Sequence, residues 1–281
     1  RLKAGIKDKK LIAESPAMKD IKNQIEMVAY SDAPVFLMGE SGTGKELIAE
    51  SIHKNSERSQ KPYLKVNCAA IPKDLIESTL FGHEKGAFTG ALKQHKGLFE
   101  ESNSGTLLLD EISEMPLPMQ TKLLRILQEG TLNRVGSNKE IKVDVRVIAT
   151  SNRKIHDEIE NGNFRQDLFY RLNVFPINIP PLRERKEDIH LLLNFFLDDI
   201  LKKYDENEKK LNQSAIDKLL SYPWPGNIRE LRNIIERAFL LSRNDAEIDS
   251  KHFMLESTNP VPVNTVSTQP KTIAEMEKEL I

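Results

Sequence analysis

Residues Gly39-Glu40-Ser41-Gly42-Thr43-Gly44-Lys45-Glu46 stand directly after a short apolar run, Val35–Met38, and directly before a helical pattern. A strand, a glycine-rich loop and a helix in that order form the context in which a phosphate-binding loop works. Backbone N–H groups of the turn and of the helix N-terminus converge on one place, where they hold phosphate oxygens, and Lys45 adds a point charge near the β and γ groups. Loops of this kind usually place Ser or Thr after the lysine, with the hydroxyl on Mg²⁺. Glu46 occupies that position here, so the metal ligands stay open at this stage.

The rest of the chain fits a sheet behind such a loop. Apolar or β-branched runs at Val35–Met38, Tyr63–Asn67, 107–110, 145–151 and 174–179 alternate with helical patterns, which predicts a five-stranded parallel sheet flanked by helices. The first helix has Ser15 as a candidate cap, Pro16 in its first turn, and Met18, Ile21, Ile25 and Val28 on one face. A second, over 119–128, groups Leu123, Leu124 and Leu127. The stretch 180–185, PPLRER, ends the strand pattern, and apolar residues at helical spacing then run to Leu255 as a small all-α domain. The charged run 205–210 reads as a solvated loop. The expected division is an α/β domain over 1–180, a helical domain over 181–256, and a linker rich in Thr, Ser, Pro and Asn over 257–271. A further unit would open at 272–281 with a capping-box pattern at Thr272 and Glu275. Both ends read as cut from a longer protein.

Charge excludes some partners. With 41 basic and 42 acidic residues among 281, the formal net charge is -1, which leaves no global electrostatic footprint for nucleic acid or membrane. A lone cysteine, Cys68, rules out an intrachain disulfide framework and a cysteine-based zinc site, and it reads as a small buried hydrophobe beside a strand end. No apolar run approaches a membrane span and no charged-then-apolar leader opens the chain, so a cytoplasmic location is expected.

Three further features carry chemistry. Thr106 to Leu109 lead into Asp110-Glu111 at a strand end, where Asp110 would hold Mg²⁺ and Glu111 would polarise an attacking water as general base. Gly86-Ala87-Phe88-Thr89-Gly90-Ala91 sets one aromatic among small residues, a composition suited to a mobile loop that offers Phe88 and Thr89 to a partner. Asn227 and Glu230 suggest a capping box that would put Arg229 in the first helical turn. A cation is disfavoured there by the helix dipole unless an anion lies nearby, and a nucleotide phosphate would relieve the conflict.

GESGTGKE, GAFTGA, GTLLLDE, FRQDLFYRLNVFPI and WPGNIRELRN, in this order, closely resemble the AAA+ central domain of sigma-54-dependent bacterial transcription activators, the NtrC-like enhancer-binding proteins. The resemblance covers about residues 11–255. It implies an AAA+ P-loop ATPase with a helical lid that binds ATP and Mg²⁺, assembles into a ring, typically a hexamer, and remodels RNA polymerase holoenzyme bound to sigma-54. Family members commonly add an N-terminal regulatory domain and a C-terminal helix-turn-helix domain, so enhancer DNA would be bound only through the latter. By the same resemblance, Gly86 to Ala91 form the sigma-54 contact loop, and Asn67 is the switch residue that holds Glu111 back from water. Asn152 is the first sensor, Arg229 is the second sensor on the lid, and Arg165 and Arg171 are the arginine pair supplied to a neighbouring subunit's nucleotide. Six residues apart on one helix, the two arginines would lie about 120° from each other, and a surface ion pair with Asp167 or Glu158 is the alternative for either. The chain departs from many relatives at Ser151, reading ATSN where they read AATN. A threading unfoldase or DNA-loading ATPase is the rival class, but no aromatic-hydrophobic-Gly pore loop stands out. A non-enzymatic DNA-binding module fares worse, since residues 272–281 are too few to place a recognition helix.

Overall fold

A computed structural model describes residues 11–206 and 208–255, so the expected linker over 257–271 and the segment from Thr272 lie outside the described residues. In chain order the elements are α1 Pro16–Ala29, β1 Val35–Met38, α2 Lys45–Lys54, β2 Tyr63–Asn67, α3 Lys73–Phe81, α4 Leu98–Glu101 and β3 Thr106–Asp110. Then come α5 Leu117–Glu129, β4 Thr131–Asn133, β5 Glu140–Lys142, β6 Arg146–Ser151, α6 Ile155–Glu160, α7 Gln166–Leu172 and β7 Phe175–Asn178. The helical part comprises α8 Lys186–Tyr204, β8 Lys210–Leu211, α9 Gln213–Ser221, α10 Asn227–Leu241 and β9 Glu247–Ile248.

Five strands form one parallel sheet in the order β2-β3-β6-β1-β7, and each coincides closely with an apolar run expected from the sequence. Successive side chains of a strand point to opposite faces, and here both faces are covered. Phe36, Leu107, Leu109, Val147 and Ala149 enter the core shared with α3, α5 and α7. Val35, Leu37, Leu108 and Ile148 enter the core beneath α1 and α2. This double burial explains why the strands read as continuous apolar runs and not as alternating ones. Parallel strands in this arrangement gather their carboxyl ends, with the loops after β1, β3 and β6, along one rim of the sheet.

A third core belongs to the helices after Leu182, built around Trp224, Leu231, Ile235 and Phe239. Trp224 is fully buried and its indole N–H donates to the Leu219 carbonyl at 2.9 Å. Two sequence expectations change here. Ser15 does not cap α1 with its side chain; its hydroxyl donates to Asp188 Oδ2 at 2.8 Å, because the buried Asp188 carboxylate reaches from α8 and offers the stronger acceptor. The charged run 205–210 is not wholly solvated. Lys209 is buried, with its ammonium 5.6 Å from the centroid of the Phe239 ring and bonded to the Ser242 carbonyl at the end of α10, where the helix dipole favours a cation. The hairpin of β4 and β5 and the short parallel pair of β8 and β9 were not expected, since strands of two or three residues are too short to show a period.

Asp188 also accepts from the backbone N–H of Glu14 at 2.7 Å and of Ser15 at 2.8 Å, so one carboxylate ties α1 to the helical part. Asp188→Ala strips an acceptor from three donors, two of them on the backbone. A loss of about 3 kcal/mol is expected from the cost of unmaking charge-assisted bonds, visible in calorimetry as a lowered unfolding temperature. An unchanged transition would show that water replaces the carboxylate at no cost.

Candidate functional site

The loop from Gly39 to Glu46 connects β1 to α2 as the sequence predicts. It is bound to itself and to the lid. Lys45 is buried and its ammonium donates to the carbonyls of Gly39 at 2.7 Å and Glu40 at 3.0 Å, while the Thr43 hydroxyl donates to the Glu40 carbonyl at 2.8 Å. Burial pushes the Lys45 pKa down, and the negative charges of Asp110 and Glu111 oppose that shift. Glu46 faces the other way and pairs with Lys65 on β2.

Five lid residues reach back to this loop. Arg183 grips the Glu40 carboxylate with both terminal nitrogens at 2.9 and 2.6 Å, which with the Asn227 amide holds that carboxyl below its ordinary pKa. Arg185 donates to the Thr43 carbonyl at 2.8 Å, and the Ile228 N–H donates to the Gly42 carbonyl at 3.0 Å. Arg229, in the first turn of α10 as expected, donates to the Ser41 hydroxyl at 2.9 Å. Gly42 has φ +79, and a Cβ there would sit 2.3 Å from the Gly226 carbonyl oxygen, so only glycine permits this approach.

Asn227 is the fifth, and its role differs from the expected cap. The residue is fully buried with φ 53, and Gly226 is the N-cap instead. Glu230 still accepts from a cap N–H, that of Gly226, at 2.7 Å. The Asn227 side chain accepts from the Leu182 N–H at 2.7 Å and donates to the Ser41 carbonyl at 3.0 Å and to Glu40 Oε2 at 3.1 Å. An amide has both a donor and an acceptor to give, and here each end joins a different part of the chain.

At the end of β3, Asp110 Oδ1 accepts from the Thr150 hydroxyl at 2.6 Å and Oδ2 accepts from the Asn67 amide at 3.1 Å. Thr150 also accepts the Glu111 N–H at 3.1 Å. Glu111 has φ 54, a left-handed backbone that costs a non-glycine residue ~1 kcal/mol. The Asn67 side-chain Oδ1 accepts from the N–H groups of Ala69 and Ala70, so in this structure the residue forms a turn and anchors Asp110, the neighbour of Glu111. Cys68 follows it, buried as expected, and burial pushes its thiol up to about 12. Asn152 is exposed directly after β6, and Ser151, the departure from the AATN pattern, is buried and bonds the Arg153 backbone in a tight turn.

Arg165 and Arg171 are both exposed. Arg165 precedes α7 with an extended backbone and is not inside the helix, so the expected helical angle between the two does not apply. Its guanidinium pairs with Asp167 at 2.6 and 3.0 Å, the partner the sequence offered as the alternative, and also donates to Thr121. Arg171 donates to the Leu127 carbonyl at 3.0 and 2.7 Å.

Gly86 to Ala91 project between α3 and α4. The loop is closed by its own backbone, with the Gly86 N–H on the Ala91 carbonyl at 2.8 Å and the Ala91 N–H on the Phe88 carbonyl at 3.0 Å. Gly86 and Gly90 have φ of +82 and +102 with open space around them, and Thr89 is exposed. Beneath it, Arg134 from the β4–β5 hairpin pairs with Glu84 at the stem and Glu100 on α4.

The family model described as "Sigma-54 interaction domain" matches residues 11–178, and one described as "AAA+ ATPase lid domain" matches 183–269. The chain belongs to the sigma-54 activator family. This sigma-54 interaction domain is 54% identical to the regulatory protein AtoC of Escherichia coli over 232 residues, covering 83% of the chain and 50% of AtoC. It is 51% identical to the DNA-binding transcriptional activator HyfR of the same organism over 242 residues, 86% of the chain and 36% of HyfR. The chain thus spans half or less of those relatives. The crystal structure of NtrX from Brucella abortus in complex with ATP superposes with a TM-score of 0.81 at 38% identity, over 87% of the chain and 54% of NtrX. The architecture is an AAA+ P-loop NTPase with a helical lid, and no helix among the described residues is long and apolar enough to cross a membrane.

Thr150, Arg183 and Gln120, whose side chain accepts the Arg165 N–H at 2.8 Å, were not singled out from the sequence. A threonine in a strand or a glutamine in a helix has no signal of its own. Arg183 sits in the PPLRER stretch that reads only as a break in the strand pattern. Asn227→Ala leaves the Leu182 N–H buried without an acceptor, worth about 1–3 kcal/mol, and frees the loop from the lid. A lowered unfolding temperature and an affinity for a fluorescent ATP analogue weaker by about tenfold are expected from titration. Wild-type affinity would show that the loop keeps its shape without this pin.

Proposed function

We propose that this domain hydrolyses ATP between neighbouring copies in a ring, typically a hexamer, and uses the cycle to remodel sigma-54 RNA polymerase holoenzyme through the loop from Gly86 to Ala91. What carries the reading is that loop, with Phe88 to Gly90 exposed at its tip, in a chain of the sigma-54 activator family. Phosphates would lie against the N–H groups from Gly39 to Glu46, with Lys45 turning from its loop carbonyls toward the β and γ oxygens. Asp110 suits Mg²⁺, a hard cation that keeps several waters and takes one or two carboxylates beside the phosphates. Both of its oxygens are oriented by Thr150 and Asn67. When bound, Mg²⁺ would neutralise charge on the phosphate oxygens.

Glu111, beside Asp110 at the strand end, is the proposed general base, with Asn67 as its switch and Asn152 as the sensor of the γ-phosphate. Arg229 would reach the phosphates from the lid. Arg165 and Arg171 are proposed to serve a neighbour's site, a reading supported by their exposure and by contacts on α5 and α7 instead of this chain's own phosphate loop. The division at residue 180 is proposed on the same lines, supported by the separate core of the helices that follow. A cytoplasmic setting follows from the partner, and enhancer DNA would be met through a further domain.

Glu111→Gln should nearly abolish turnover while leaving ATP bound, because it removes the base and keeps the phosphate contacts. Equilibrium binding of a fluorescent analogue checks this, and a loss as large as that of Lys45→Ala would refute the role. Arginines that act between copies make activity per chain rise with concentration. Mixing Arg171→Ala with Glu111→Gln chains should rebuild some intact sites, and mixtures that co-assemble yet stay inactive would place the arginine in its own site.

Coupling is tested by Phe88→Ala and Thr89→Ala. Each should leave basal ATP hydrolysis within a few-fold and end open-complex formation, since the loop touches the partner and not the transition state of phosphoryl transfer. Wild-type open-complex formation by both variants would remove the sigma-54 reading's main support.

A further inference from the structure

Phe88 is 42% exposed, so more than half of its surface is covered, although the glycines on either side of it have no neighbour within 4 Å of a Cβ position. Part of that cover comes from the stem. The His83 ring meets the Phe88 ring edge-on, with centroids 5.0 Å apart and planes at 66°. Such a pair biases a local equilibrium by roughly two- to tenfold, enough to choose between positions of a glycine-hinged loop.

His83 is itself held from three directions, its ring by one contact and its backbone by two. Its Nδ1 is 2.7 Å from the Ser78 hydroxyl on α3. Its backbone exchanges hydrogen bonds with His95 on the returning strand of the stem, at 3.0 and 2.9 Å. The hairpin holds the residues on either side of it, since the Val135 N–H donates to the Gly82 carbonyl and the Val135 carbonyl accepts from Glu84, both at 3.0 Å. A ring held this way moves with α3 and the hairpin, not with the loop.

We propose that His83 is a positioning residue that docks Phe88 against the stem, and that release of this aromatic contact lets Phe88 meet its partner. The inference rests on the sigma-54 reading for the identity of that partner but not for the latch itself. Docked and released are two discrete arrangements of one loop, the kind of bistable element that a small shift of α3 or the hairpin can switch. The loop's glycines allow the swing, because positive φ costs glycine nothing and no atom lies within 4 Å of a Cβ position at Gly86 or Gly90.

The test labels the phenylalanines with 4-fluorophenylalanine and follows the Phe88 fluorine resonance, assigned by its loss in Phe88→Leu, without nucleotide or partner. In His83→Ala the resonance should narrow and move toward its position in the unfolded chain. Ser78→Ala keeps the imidazole but removes its anchor, so it should give a smaller shift in the same direction, and His83→Phe, which restores a ring, should return it toward wild type. A Phe88 signal unchanged in both His83→Ala and Ser78→Ala overturns the latch, and should His83→Ala fail to fold, Ser78→Ala and His83→Phe decide. In a second arm, His83→Ala without nucleotide should retain sigma-54 in gel filtration several-fold more than wild type. Equal retention counts against release as the presenting step. Wild type that never retains sigma-54, even with an ATP transition-state analogue, overturns the sigma-54 reading, and the fluorine result still decides the latch.

Discussion

A loop with glycines at three of its eight positions has few side chains with which to hold one shape, and in this chain the lid adds its bonds to those of Lys45 and Thr43. Asn227, itself fully buried, joins the entry of the lid at Leu182 to the Ser41 carbonyl and the Glu40 carboxylate, and its bond to Leu182 is shielded from water. Arg183, Arg185, Ile228 and Arg229 repeat the connection along the loop. Lid position and phosphate-loop geometry are therefore one variable. A lid that moves away must break these bonds, and a phosphate that rearranges the loop must move the lid.

The opposite wall of the site is built in the same manner from a different part of the fold. Asp110 is held by Thr150 from β6 and Asn67 from β2, the two strands that flank β3. Glu111 is held in a left-handed backbone, a strain that persists only where the surrounding structure over-determines it. Donors and acceptors oriented before the substrate arrives need no rearrangement during the reaction, and that is the main electrostatic advantage a protein has over water.

The loop from Gly86 to Ala91 follows the reverse logic. Its glycines pack against nothing, its hydrogen bonds are mostly its own, and its rigidity is confined to the stem, where Arg134 bridges Glu84 and Glu100 and where His83 is anchored. Low packing at the tip and ion pairs at the base let the tip move without unfolding what supports it. The two regions thus differ in how they are held, the phosphate loop by many bonds and the Gly86 to Ala91 loop by few.

The five strands, the phosphate loop, the Asp110-Glu111 pair and the Gly86 to Ala91 loop were legible in the sequence because each is a local property. Double burial makes a run apolar, a φ near +80 asks for glycine, and a carboxyl pair closes a strand within a few residues. The family likeness follows from the same segments in the same order. What the sequence could not determine depends on partners far along the chain. Ser15 has the composition of a cap, yet the carboxylate of Asp188, 173 residues away, takes its hydroxyl. Asn227 has the composition of a helix start, yet Ser41 and Glu40 claim its amide. Lys209 lies in a charged run but is buried over Phe239. A polar side chain bonds whichever group the fold brings within about 3 Å, so its type shows that a bond is wanted, and only the tertiary structure decides which partner supplies it.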